Sequence, residues 1–393
     1  MSRRATANEI PKLRFPNFEG AWTEKKVIDI APLQRGYDLP NEQIVSGLVP
    51  IVYSNGILKY HNVSQAKGPG VVTGRSGTIG KVHFIEQDYW PHNTALWVTD
   101  FKSNHSKFVY YFYVKLDLAQ FGAGSGVPTL NRNDVHAATA HIPQLPEQQK
   151  IADFLGAVDA RVGLLRRRRE ALRAYKKGMM QRLFTQDLRF TKADGSPFPN
   201  WQEKRLGEVA VSHNSGIYKK SEIYGEGANI IGVSDLFSIS VVKGQEFRRV
   251  PLTEKEISEN ALNEGDILYA ESSLVRKGIA KSVYVSKLGA GTAFAWHTRR
   301  YAVDAKQALA AYIYFYLESD RARRFIESVA TQTALTGITT RDYFACPVSL
   351  PHTEEQQKIA DTLTALDAKI DAVTAQMDAM LRFKKGLLQQ MFV

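Results

Sequence analysis

The chain has 393 residues, too many for one ordinary core and the length of two domains plus connecting elements. A single cysteine, Cys346, excludes an intrachain disulfide and a cysteine-clustered zinc site, and the longest apolar runs are short and broken by charge, which argues against a membrane span. Lysine and arginine number 51 against 40 aspartate and glutamate, a formal net charge of +11 that favours a polyanionic partner.

The N-terminal stretch "MSRRATANEIPKLRF" has no apolar core of a signal peptide, so a cytoplasmic protein in a reducing compartment is expected. "LRFPNFEGAWTEKKVIDIA" (residues 13–31) opens a globular segment of short strands and turns, in which "GPGVVTGRSGTIGKVHFI" (68–85) alternates β-formers with glycine. Gly74, Gly77 and Gly80 do not form a phosphate loop, because Lys81 is followed by Val82 and not by serine or threonine. A strand turn that closely approaches a ligand is the better account of them. "SKFVYYFYVKLDLAQF" (106–121) reads as a buried aromatic helix, and "VPTLNRNDVHAATAHIP" (127–143) completes the first segment, residues 1–144.

Residues 145–184 follow as a single long helix. Ile151, Leu155, Val158, Val162 and Leu165 recur at steps of four and three, the spacing of a coiled-coil seam. At about 1.5 Å per residue the helix is roughly 57 Å long. Pro146 suits its first turn, and Glu147 its positive end. A second globular segment, 185–352, opens on "LRFTKADGSPFPNWQEKRLGEVA" (188–210). It continues through "EGDILYAESSLVRKGIAKSVYV" (264–285) and the aromatic helix "ALAAYIYFYLESDRARRFIESV" (308–329) to "LTGITTRDYFACPVSLP" (335–351).

Residues 353–393 repeat the long helix at an offset of 208: about 17 of the 38 positions pairing Glu147–Phe184 with Glu355–Phe392 are identical. The second seam is Ile359, Leu363, Leu366, Ile370 and Val373. An isolated helix must bury such a stripe, and each copy is the obvious antiparallel partner of the other. Lys176, Lys384 and Arg169 also fall on the seam; they either reach water where the seam frays or meet a partner protein. The expected fold class is therefore α+β: two mixed α/β units, an internal pseudo-repeat, separated by two long antiparallel coiled-coil helices.

Motifs for chemistry are missing from the sequence. No Asn/Asp-Pro-Pro-aromatic element of a DNA amino-methyltransferase occurs. The lysine that a nuclease would place two residues after Glu271 is Ser273, and the nine histidines show no metal-ligand spacing. No catalytic residue, metal or cofactor is expected.

Two unlike globular units, each followed by a helix carrying "PEQQKIADFL" or "EEQQKIADTL" and then "YKKGMMQRLF" or "FKKGLLQQMF", resemble the DNA-specificity subunit of type I restriction-modification systems. The resemblance spans essentially the whole chain, including "LRFPNFEGAW" and "GRSGTIGKV". It implies that each unit is a target-recognition domain for one half of a bipartite, asymmetric double-stranded DNA site. It also implies that the helices are a spacer and docking surface for two methyltransferase subunits, with restriction subunits outside. Two readers on a rod suit base clusters about one helical turn, roughly 34 Å, apart. Loop residues able to read base edges or hold phosphates are Arg75, Ser76, Thr78, Lys81, Ser125, Thr129, Asn131, Arg132 and Asn133 in the first unit. In the second they are Ser272, Ser273, Arg276, Lys277, Thr333, Thr336, Thr339, Thr340 and Arg341, and for each a turn-stabilising role is the competing reading. The Arg166–Arg169 run reads as a solvated helix face. Two other classes remain open from the residues: a regulator that binds DNA alone, and a helical scaffold whose units bind protein.

Overall fold

A strand near the start of each globular segment pairs with the strand that leads into a long helix, so each segment is closed where it is left. Thr23–Lys26 runs antiparallel to Thr139–Ile142, and Gln202–Arg205 to Pro347–Leu350. The computed structural model describes residues 10–123, 127–332 and 334–393. The chain divides into two units, one of residues up to Arg167 together with Val373–Val393, the other Arg168–Ala372. Each unit thus takes part of both long helices, a grouping that cuts across the order of segments along the chain.

In the first unit an antiparallel four-stranded sheet has the order Leu33–Arg35, Ala95–Val98, Gly70–Gly74, Val82–Ile85. A three-stranded sheet of Gly56–His61, Val49–Tyr53 and Trp90–Pro91 adjoins it. The aromatic helix Ser106–Lys115 buries Phe108, Val109, Tyr111, Phe112 and Tyr113. With so many faces apolar it can only be an interior helix.

The second unit repeats this plan with a five-stranded sheet ordered Ala210–Ser215, Thr298–Val303, Ile267–Ala270, Ser282–Val285, Val241–Val242. Beside it lies a three-stranded sheet of Arg248–Val250, Ala228–Ile231 and Ala293–Phe294. Helices Ala310–Leu317 and Asp320–Val329 complete the core; the first of them buries Tyr312 through Leu317.

Leu145–Phe184 and Thr353–Met391 are continuous α-helices. In the first unit Ile151, Leu155 and Val158 share a core with Leu387, Met391 and Phe392. In the second, Ile359, Leu363 and Leu366 share one with Leu183 and Phe184. Early residues of one helix thus meet late residues of the other in both units, which is antiparallel packing. The ten seam residues Ile151, Leu155, Val158, Val162, Leu165, Ile359, Leu363, Leu366, Ile370 and Val373 are each no more than 9 % exposed.

The repeated "EQQK" holds each helix to its own unit. Glu147 accepts Nε and Nη2 of Arg14, both at 2.8 Å, and Glu355 accepts the same atoms of Arg189 at 3.1 and 2.7 Å. The adjacent glutamine is buried and bonds to backbone. Gln148 accepts from His105 N at 2.9 Å, ahead of the aromatic helix, and Gln356 accepts from Leu309 N at 2.8 Å at the matching place. The next glutamine bonds along its own helix, Gln149 to Asp153 and Gln357 to Asp361. The glutamates lie in the first helical turn, as a macrodipole argument requires, but their main task is to receive a half-buried arginine.

Lys176 and Lys384 neither fray into water nor stand free for a partner. Lys176 Nζ lies 2.6 Å from Asp367, over the Phe315 ring, and Lys384 Nζ lies 2.6 Å from Asp159, over the Tyr111 ring. Asp159 also accepts the Tyr111 hydroxyl at 2.7 Å. Because the repeats run antiparallel, the same lysine–aspartate pair forms once in each unit. Arg169 pairs with its neighbour Glu170 at 3.1 Å. A double-mutant cycle of Asp159→Asn and Lys384→Met, read by urea unfolding, is expected to give a coupling energy of about 1 kcal/mol, the upper end for partly exposed pairs. Additive effects would remove the pair from the account.

Candidate nucleic-acid interface

Three loops remote in sequence meet at one end of the first unit's sheets. Arg75 N and Ser76 N donate to Thr94 O at 2.9 and 3.2 Å, Gly77 N to Pro128 O at 3.0 Å, and Leu130 N to Arg75 O at 2.7 Å. Residues 75–81, 92–94 and 128–133 therefore form a single surface. The segment Gly36–Asp38 joins it: Gly36 N donates to Ala95 O at 3.0 Å and Tyr37 N to Pro91 O at 2.8 Å. A Cβ on Gly36 would lie 2.3 Å from His92 O, so only glycine permits this approach. The turn glycines have an equally local cause. Gly77 and Gly80 both have φ +82°, and a Cβ on Gly74 would lie 1.7 Å from Thr78 O, so the turn itself requires them and no ligand need be invoked.

The second unit builds the same surface from equivalent bonds. Gly216 N donates to Thr298 O at 3.1 Å, Ile217 N to Phe294 O at 2.9 Å, and Glu271 N to His297 O at 2.9 Å. Ser272 pairs with Gly337 and Ser273 with Thr336. These bonds equate Asp38 with Tyr218, Asn93 with Trp296, Thr94 with His297 and Arg75 with Glu271. The backbone frames match while the side chains differ.

Several residues expected to read DNA are committed to the frame. Ser273 is 5 % exposed and Thr336 1 %, too buried to touch a base edge; the Ser273 hydroxyl donates to Val275 O at 2.8 Å and accepts from Val275 N at 3.2 Å. Arg276 donates Nε and Nη2 to Glu327 O, at 3.0 and 2.8 Å, thereby capping the end of helix Asp320–Val329. Asn131 and Thr339 cap the helices Arg132–Ala137 and Thr340–Phe344 through their side-chain oxygens. Ser125 and Thr333 lie outside the described residues.

What remains is polar and accessible. Arg75 is half-buried and donates Nε to Asn93 O at 3.0 Å, while Ser76, Thr78, Ser272 and Thr340 are half-buried and Thr129 and Asn133 exposed. Lys81, Arg132, Lys277 and Arg341 are exposed, and among the described residues none has an ion-pair or side-chain hydrogen-bond partner. Such cations are available to phosphates or guanine edges. Glu271 is paired with Arg299 at 2.7 Å. Burial lowers the His92 imidazole below its ordinary value, against an opposing effect of Asp38, so it is neutral at neutral pH and can accept a hydrogen bond.

Sequence reading missed Tyr37, Asp38, His92, Asn93 and Thr94 in the first unit and Tyr218, Trp296 and His297 in the second. The only local signals were the glycines Gly36 and Gly216. Among the described residues no three His, Cys, Asp or Glu side chains group to hold a metal ion, and no helix is long and apolar enough to cross a membrane.

Comparison with known proteins gives a family match at residues 19–174 and again at 199–380, to the type I restriction modification DNA specificity domain. The MjaVIII type I restriction enzyme specificity subunit of Methanocaldococcus jannaschii is 22 % identical over 277 residues, covering 67 % of this chain and 64 % of that protein. The StySPI specificity subunit of Salmonella potsdam is 20 % identical, covering 69 % of this chain and 60 % of that protein. The matched region thus spans a little under two thirds of these relatives. A crystal structure of a type I restriction-modification S subunit from M. genitalium has the same fold, with a TM-score of 0.65 at 16 % identity, covering 98 % of this chain and 99 % of that one.

Proposed function

This chain belongs to the type I restriction modification DNA specificity domain family, and on that premise we propose that it is the DNA-reading subunit of a type I restriction-modification complex. Each unit reads one half of a bipartite, asymmetric site in double-stranded DNA. The two long helices separate the readers and dock methyltransferase subunits, two of them because the helical motif occurs twice, with restriction subunits joining outside. The target-recognition segments are 1–144 and 185–352, and the helical segments 145–184 and 353–393. The chain itself carries out no reaction and needs no cofactor, since its sequence has none of the motifs such chemistry requires, and it works in the cytoplasm on the host's DNA.

The observation that carries this reading is the pair of matching loop frames with unlike side chains, one per family domain. A single DNA-binding role with two different specificities explains both the likeness and the difference. Duplex binding measured at stepped salt, with and without methyltransferase subunits, tests it. The expected result is steeply salt-dependent affinity that becomes site-specific when those subunits are added. Tight specific binding by the chain alone would indicate a stand-alone regulator, and salt-insensitive or absent DNA binding a protein scaffold.

Residue roles are separable in the same assay. Arg341→Ala is expected to cost about 1–3 kcal/mol and to relax one position of the second half-site, as loss of a bidentate guanine contact does. Lys81→Ala is expected to weaken all sequences alike and reduce the salt slope by about 1, as loss of a phosphate contact does. Uniform weakening by Arg341→Ala would move that residue to the phosphate class.

A further inference from the structure

The equivalent positions of the two loop frames differ in chemistry in one consistent way. In the first unit Asn93 Nδ2 donates to Asp38 Oδ1, a hydrogen-bonded polar pair. In the second the same two positions hold Trp296 and Tyr218, packed edge to face at 5.1 Å and 89°. Trp296 is further stacked on His297, at 4.4 Å and 18°. Yet the pair is not core: Tyr218 is 63 % exposed and Trp296 47 %. It lies at the end of the five-stranded sheet, where Glu271 N donates to His297 O at 2.9 Å.

Two aromatic rings, fixed by each other and by an imidazole, lose little freedom on binding and present an apolar face. In the major groove the edges of guanine, cytosine and adenine are donors and acceptors, which an apolar face would leave unpaired. The thymine C5-methyl is the apolar group there. Resting on the function proposed above, we infer that Tyr218 and Trp296 determine specificity for a thymine in the second half-site by packing on its C5-methyl. The first unit, with Asp38 and Asn93 at those places, makes a hydrogen-bonded contact at the corresponding position.

The test uses the chain assembled with its methyltransferase subunits and a duplex carrying the methylated target. Each thymine of the second half-site, on either strand, is replaced in turn by deoxyuridine, which removes only the methyl. Wild type is expected to lose about fourfold in affinity at one position, the equivalent of burying one methyl at ~0.8 kcal/mol. Trp296→Ala should bind the thymine duplex more weakly and no longer distinguish it from the deoxyuridine duplex. Both proteins should respond alike to changes in the first half-site. Tyr218→Ser provides a second variant should Trp296→Ala fold poorly, and the deoxyuridine series on wild type needs no variant. Equal affinity for thymine and deoxyuridine at every position overturns the inference. So do a second half-site without any A·T pair, discrimination that survives in both variants, and rings that kink the duplex as a wedge without sensing the methyl. In each of those cases the complex still prefers its target over a scrambled duplex. Loss of that preference altogether would instead defeat the DNA-reading function.

Discussion

Exchanging residues 188–345 for the matching segment of another family member is expected to move methylation to hybrid sites, with the first half-site unchanged and the second replaced. Each mismatched base pair costs about 1–3 kcal/mol, roughly additively, so a wholly new second half-site should abolish methylation at the parental sequence. The structure indicates why the exchange should be tolerated. The retained strand Pro347–Leu350 pairs with Gln202–Arg205 through backbone groups, which any sequence supplies. Gln356 likewise bonds backbone atoms of Leu309 and Gln307. Among what the incoming segment must carry are an arginine at position 189 and a tryptophan at 201, since both donate to Glu355. The helix seam is untouched, so assembly with methyltransferase subunits should persist. A hybrid that altered both half-sites together would show that the units do not read independently.

Arg189→Ala is expected to destabilise the second unit by about 3–5 kcal/mol, measured by urea unfolding. The Glu355 side chain is fully buried and receives Arg189 Nη2 at 2.7 Å and Trp201 Nε1 at 3.2 Å. Removing the guanidinium leaves a buried carboxylate short of its cation, and also frees Pro199 O, which Nη2 reaches at 2.7 Å. Arg14→Ala should act comparably in the first unit, where the Glu147 side chain is 4 % exposed. Replacing both partners by apolar residues, Arg189→Met with Glu355→Leu, should restore most of the loss, because the main cost is the unpaired charge and not the missing bond. An Arg189→Ala protein that unfolds at the parental urea concentration would contradict this account of how the helices are held.

The long helices were legible in the sequence because a four-three apolar spacing leaves a stripe that must be buried, and an internal copy supplies the partner. What escaped were interactions that join distant residues. The seam lysines found their aspartates only in the packed helices, since Asp367 is far from Lys176 in the chain. At the candidate DNA-reading surface the glycine-rich turns pointed to loops that the structure brings together, but the polar residues within them look alike whether they cap a helix or reach outward. Asn131 and Thr339 have the short oxygen-bearing side chains that suit either task, and Arg276 was assigned outward although helix-end carbonyls hold it. Asp38, Asn93, Tyr218 and Trp296 carried no signal of their own beyond the nearby Gly36 and Gly216, because their loops come together only through the sheets.

The most direct measurement is genome-wide sequencing of methylated bases in a host with this gene, with the gene deleted, and with it restored. One bipartite, asymmetric motif is expected to disappear on deletion and return on restoration, all other methylation being unchanged. An unaltered methylome, or the loss of a short continuous motif in place of a bipartite one, would contradict the proposed function.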